Sequence, residues 1–207
     1  MTLTVDLDGL DARTRYKLLT AVVIPRPVAW VTTLSPEGVV NAAPFSFFNL
    51  FGQDPALVIL GLEHHADGRV KDTAQNIRAN REFVINIATP DLLEPMVASA
   101  AAYPRDTGEP GALGLALAAS EHVAPPRLAD VPVAIECRCL DILNYSGERD
   151  IVVGRAVGLA ARDGLINTET WRVDWGGDYP VARLFADRYA RLDEIAPRSI
   201  PTLTKET

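Results

Sequence analysis

Hydrophobic and polar positions along the chain fall into short runs whose period changes repeatedly. Residues 12–23 (ARTRYKLLTAVV) place apolar side chains at helical spacing, and Pro25, which cannot continue a helix, ends them. Residues 27–35 (PVAWVTTLS) are β-branched and aromatic, the composition of a strand. Ser35-Pro36-Glu37-Gly38 has the order of a turn, with proline early and glycine last, so residues 39–43 read as the partner strand of a hairpin interrupted by Pro44. Residues 46–51 form a polar-aromatic loop, and residues 56–62 form a short apolar strand after Asp54-Pro55.

The second half alternates in the same way. Residues 72–80 (DTAQNIRAN) begin at a capping type and predict a helix, 82–88 a strand, and 90–102 a helix with proline in its first turn. Residues 103–114 are rich in proline, glycine and charge and predict a surface excursion. Residues 131–143 and 151–161 predict two long strands, 164–171 a loop with a short helix, and 181–185 a final strand. Roughly seven or eight strands with three inserted helices indicate a mainly β fold, a closed or sandwiched antiparallel sheet, rather than a parallel α/β fold.

Composition narrows the function. The 207 residues suffice for one domain, 1–207, with a full core. A net charge of −7, with 20 basic residues scattered among 27 acids, argues against a nucleic-acid partner and requires any anion site to be local. The first ten residues lack the basic and apolar regions of a signal peptide, and no apolar run is long enough for a membrane span, so the expected location is cytoplasmic, with no membrane partner. Cys137 and Cys139, two apart in a predicted strand, share a face and read as reduced core thiols.

Several chemistries lack their signatures. There is no GxGxxG, no Walker loop and no GxSxG elbow. His64 and His65 are adjacent and would diverge in an extended chain, so no metal is expected. Two clusters remain. Residues 26–49 (RPVAWVTTLSPEGVVNAAPFSFFN) combine the hydroxyls of Thr32 and Thr33 with a segment holding Ser46, Phe47, Phe48 and Asn49. That segment reads either as ordinary sheet core or as a cradle for a planar ring and its polar edge. Lys71-Asp72-Thr73 stands at the mouth of a predicted helix, where free N–H groups and the dipole favour an anion. Asp72 would repel that anion and reads better as a cap; a plain capped helix beside a solvated lysine accounts for the same residues.

Taken in order, PRPVAW, the TT hairpin, NAAPFSFFN, DPALVILG, KDTAQNI, FVINI and APPRLADVPVAIECR resemble the flavin reductase-like family, whose fold is the FMN-binding split β-barrel, a Greek-key antiparallel barrel also found in flavoredoxins. The resemblance covers about residues 16–160 and leaves 161–207 as a C-terminal extension. It implies a homodimer with FMN near the subunit interface. It implies that Thr32, Thr33 and the 46–49 segment hold the ribityl chain and ring edge, that Lys71 and Thr73 hold the phosphate with Asp72 beside them, and that Arg26 reaches the phosphate or buttresses the loop. Trp30 is expected in the core, and Tyr103 over the flavin.

The activity implied is hydride transfer from NADH or NADPH to FMN, and onward to free flavin, a partner monooxygenase or a small acceptor. The flavin carries that chemistry, and no side-chain acid or base is assigned. An electron carrier and a non-redox ligand-binding barrel are the alternatives. The chain departs from some short members of the family in having no histidine after His122; Trp171, Trp175 and Tyr179 stand there instead, suited to an interface or to stacking on a substrate.

Overall fold

The computed structural model of the protein describes residues 1–201. Helix α1 (Ala12–Val22) starts where Asp11 accepts the Thr14 N–H at 3.0 Å. Strands β1 (Ala29–Leu34), β2 (Val40–Phe45), β3 (Phe48–Gln53) and β4 (Ala56–Glu63) follow as successive hairpins. Helix α2 (Asp72–Asn80) precedes β5 (Glu82–Ile87), and α3 (Leu93–Ala98) and the one-turn α4 (Glu109–Leu113) lie in the connection to the long hairpin β6 (Val133–Ser146) and β7 (Arg149–Ala161).

These seven strands form one antiparallel sheet in the order β2-β1-β5-β6-β7-β4-β3. Its two edges, β2 and β3, are joined by only Ser46 and Phe47. A two-residue link cannot span a flat sheet of seven strands, so the sheet must curl until its edges meet. The edges touch without forming a ladder, which makes the barrel split. The strand β5 returns beside β1 after the two hairpins β1-β2 and β3-β4, the Greek-key connection.

The sheet buries both faces. Val31, Leu60, Phe83, Ile85 and Cys137 pack inside with Ile77 of α2, while Trp30, Val84, Met96 and Leu128 pack against the connections outside. Alternation along β1 explains how Trp30 and Val31, neighbours in sequence, enter different clusters. The Trp30 indole N–H donates to Ser99 Oγ at 2.9 Å, anchoring the end of α3. Cys137 and Cys139 share the inner cluster as free thiols, and burial pushes both up from the ordinary thiol range, so neither is a ready nucleophile.

Five boundaries differ from the sequence reading. Pro44 does not break β2: it pairs with Trp30 in an edge strand, where one missing N–H is tolerated. The segment 46–51 is a loop only at Ser46 and Phe47; from Phe48 it is strand β3. The predicted 90–102 helix shortens to a 3₁₀ turn (Pro90–Leu92) and α3. Residues 164–171 form no helix but enter a two-residue pairing of Ile166–Asn167 with Arg172–Val173. The final strand contracts to Ala182–Arg183, which pairs with Arg26–Pro27 and Tyr189–Ala190.

Candidate functional site

Helix α2 begins without a side-chain cap. Lys71 occupies the capping position but makes no capping bond, and the first backbone bond of the helix runs from Gln75 N–H to Lys71 C=O at 3.0 Å. The N–H groups of Asp72, Thr73 and Ala74 therefore have no partner within the helix. Asp72, which the sequence suggested as a cap, pairs with Arg105 at 2.9 Å. Lys71 stands 3.5 Å from Glu63, and both side chains are partly solvated.

This helix start opens on a cleft of about 860 Å³, toward the upper end of the range for small-molecule sites, about 300–1,000 Å³. One wall is α2, through Lys71, Asp72, Thr73, Gln75 and Arg78. A second is the edge strand β2, through Asn41, Ala43, Pro44 and Phe45. A third is residues 99–105 with Glu109, the end of the expected 90–102 helix and part of the expected 103–114 surface excursion. Tyr103 is among them. That stretch is docked against the barrel rather than free: Glu109 is only 6% exposed, and Arg105 donates to Asp72 at 2.9 Å and Gln75 Oε1 at 2.6 Å, bridging to α2.

Buried polar groups hold the walls together. The Glu109 carboxylate accepts from Asn41 Nδ2 at 2.9 and 3.0 Å and from the Ala42 N–H at 2.9 Å. Burial pushes the Glu109 carboxyl above its ordinary range, against those three contacts. The Thr73 hydroxyl donates to Asn41 Oδ1 at 2.7 Å, so what Thr73 presents to the cleft is its backbone N–H rather than its hydroxyl. At the other end of α2, Arg78 forms three bonds of 2.7–3.1 Å with the fully buried Asp150. Asn144 adds a fourth bond to Asp150 at 3.1 Å. The Arg78 Nη1 has no partner among the described residues.

The other site residues expected from sequence lie away from the cleft lining. Arg26 donates to the carbonyls of Thr20, Val23 and Leu184, at 2.5, 2.8 and 2.5 Å, and ties the end of α1 to the C-terminal segment. Its Nε also reaches Ser46 Oγ at 3.5 Å, at the limit of a hydrogen bond. Thr32 donates to Pro126 C=O at 2.6 Å. Thr33 sits behind Asn41, receiving from Asn76 Nδ2 at 3.0 Å. Phe47 stacks under the Arg149 guanidinium at 4.2 Å and near Tyr16, Phe48 packs on the inner core, and Asn49 bonds the Leu50 N–H. Lys71, Asp72 and Thr73 are brought together in the cleft; Arg26, Thr32, Ser46, Phe47, Phe48 and Asn49 are not.

Sequence reasoning missed Asn41, Glu109, Arg105 and Arg78. Asn41 stood inside the quoted NAAPFSFFN run and could have been named from it. Glu109 had no local signal: its role depends on a close approach of Gly108, where a Cβ would lie 2.6 Å from the Val40 carbonyl.

Known proteins resemble this architecture throughout. The family model for a flavin reductase-like domain matches residues 21–182. The crystal structure of the 2-nitrobenzoate 2-nitroreductase of Pseudomonas fluorescens is 34% identical, covers 97% of each chain and superposes with a TM-score of 0.87. Component B of nitrilotriacetate monooxygenase from Bacillus cereus is 30% identical over 96% of this chain and 99% of its own, with a TM-score of 0.89. An uncharacterised protein of Halalkalibacterium halodurans is 34% identical over 96% of each chain. The span matched by the family model contains all seven strands and every wall of the cleft, and the chain belongs to the flavin reductase-like family.

Proposed function

We propose that the protein binds FMN in this cleft and reduces it with NADH or NADPH, delivering electrons to free flavin, a partner monooxygenase or a small acceptor. The observation that carries the reading is the uncapped start of α2. It offers the N–H groups of Asp72 and Thr73, which have no partner among the described residues, beside Lys71 in a cleft of suitable size, donors suited to a phosphate monoester. The overall charge of −7 does not oppose this, because a phosphate needs only a few local donors. Phe45 and Tyr103 supply apolar surface on the two facing walls for a planar ring.

Bound FMN would supply hydride acceptance at its ring. The residues of the chain would bind and orient it: Lys71 and the N–H groups at the start of α2 would hold the phosphate, and β2 and residues 99–105, the other two walls, would hold the rest of the flavin and screen it from water. The other residues given a cofactor role by resemblance serve this site from behind. Thr33 braces Asn41, and Arg26 fixes the corner that carries Ser46.

Two relatives favour different acceptors. Likeness to a nitroreductase at 34% identity supports direct reduction of a small acceptor, and likeness to a monooxygenase component at 30% supports delivery to a partner enzyme. A homodimer would account for exposed apolar residues of α1 and β3. Val22 of α1 and Leu50 and Phe51 of β3 are 71%, 65% and 64% exposed, and β3 is an edge strand. The deciding experiment is anaerobic absorbance of the protein with FMN, then NADH or NADPH. A bound flavin spectrum that bleaches with the nicotinamide supports the reductase. Bound flavin that stays oxidised leaves an electron carrier, and no binding leaves neither.

A further inference from the structure

The walls of the cleft come from three separate parts of the chain: β2, the first turn of α2, and the 99–113 connection with α4. One connected hydrogen-bond network joins them. Asn76 Nδ2 donates to Thr33 Oγ at 3.0 Å, and Thr33 faces Asn41 Oδ1 at 3.4 Å. Thr73 donates to that same Oδ1 at 2.7 Å, and Asn41 Nδ2 donates to both oxygens of Glu109. Every member is at least nine-tenths buried. In such surroundings each bond is stronger and a misdirected one costs more.

The direction of the network is set at one end. A carboxylate only accepts, so Glu109 requires Asn41 to present its NH₂ group. With that orientation fixed, Asn41 must present Oδ1 to Thr73 and Thr33. Flipping the amide would place its oxygen against the carboxylate. Thr73 and Asn76 are three apart on α2 and face the same side, so the network grips the first two turns of the helix from below. Glu109 itself is held on the open edge of β2, where it takes the Ala42 N–H that no strand partners. Glycine at 108 permits the approach, since a Cβ there would meet the Val40 carbonyl at 2.6 Å.

We propose that Glu109 is a positioning residue: through Asn41 and Thr73 it fixes the first turn of α2, and so couples the seating of the 99–113 wall to the geometry of the anion seat. The ligand, an FMN phosphate, rests on the function proposed above; the coupling does not.

Two measurements separate the proposals. The first needs no flavin. Hydrogen exchange of the full chain should show that Glu109→Gln accelerates exchange in residues 108–113 and also in residues 75–77, the first amides bonded within α2, by tenfold or more in each. Acceleration confined to 103–114 would overturn the coupling. Gly108→Ala, which pushes α4 off β2 while keeping the carboxylate, should reproduce the joint effect. If Glu109→Gln fails to fold by circular dichroism, Gly108→Ala carries the test alone. The second measurement compares ligands. Glu109→Gln should weaken FMN about tenfold and riboflavin, which lacks the phosphate, less than twofold. Asn41→Ala combined with Glu109→Gln should be no worse than Asn41→Ala alone. Equal losses for both ligands, or additive losses, would make Glu109 merely structural. A wild-type protein that binds no FMN refutes the function and leaves the exchange test standing.

Discussion

Two corners of the barrel carry polar residues of the same kinds, yet only one has donors to offer. At the start of α2 the Lys71 ammonium and the N–H groups of Asp72 and Thr73, and farther along the helix the Nη1 of Arg78, belong to residues lining a cleft and have no strong partner among the described residues. At the Arg26 corner the guanidinium is engaged by three carbonyls and Phe47 is stacked under Arg149. The comparison teaches that residue type marks capacity, and that the partners a fold supplies decide whether the capacity remains. A buried polar group is almost always satisfied, so a site is recognised by the groups that are not.

The contrast is most exposed to failure at Arg26. Arg26→Ala should destabilise the fold by about 3 kcal/mol, since it removes several charge-assisted bonds and leaves the buried Thr20 carbonyl, with the part-buried ones of Val23 and Leu184, without this donor. Flavin affinity of the folded fraction should change less than about twofold. Urea unfolding read beside FMN titration checks both. A large affinity loss with unchanged stability would move Arg26 into the site.

Lys71→Ala should give the opposite pattern. FMN binding should weaken by about 1.5–3 kcal/mol, with riboflavin and the unfolding midpoint nearly unchanged. The lysine is partly solvated and its one ion pair among the described residues is with the more exposed Glu63, so its removal leaves no buried charge behind. Unchanged FMN affinity would leave the helix N–H groups as the whole anion seat.

Much of the fold was legible because its signals are local. The helix 72–80, the turn 35–38 and strand β1 follow from caps, turn chemistry and β-branched runs. Strand β3 was not legible: Phe48–Gln53 lacks alternation because it is an exposed edge, with apolar Leu50 and Phe51 on the surface. Closure of the barrel was not legible either, since it depends on the shortness of one link between the two edges of a sheet whose order no local pattern gives. At the site, Lys71 and Thr73 could be named from a helix start. Glu109 could not, because a glutamate in a Pro- and Gly-rich stretch carries no mark of the strand edge it will meet.

Between these two corners stands the pH behaviour of the network. Burial raises the Glu109 carboxyl above its ordinary value of 4.5. The folded protein therefore holds this proton more tightly than the unfolded chain does. That contribution to stability is full below the unfolded value and is lost as pH rises through the raised one. Asp72 on α2 acts in the same direction as burial, while Asn41 and the Ala42 N–H oppose it. Wild type should thus lose stability relative to Glu109→Gln as pH climbs from 4 toward neutrality, measured by denaturant midpoints at each pH. A difference that grows in the other direction would mean that the three donors outweigh burial.

The smallest effect tests the comparison from its quiet side. Ser46 was expected to bond the cofactor, and among the described residues its hydroxyl has one hydrogen-bond partner, the Arg26 Nε at 3.5 Å. At that distance a hydrogen bond contributes little, and the Arg26 guanidinium keeps its three carbonyl acceptors without it. Ser46→Ala should therefore shift stability by less than about 0.5 kcal/mol. Its effect on flavin reads the position of the ring directly, because the link 46–47 lies immediately beyond Phe45 at the cleft wall. No change in FMN or riboflavin affinity keeps Ser46 with the engaged corner. An equal loss for both ligands, about 0.5–1.5 kcal/mol, would place its hydroxyl on the ring or ribityl chain rather than the phosphate, and would extend the site around the split of the barrel.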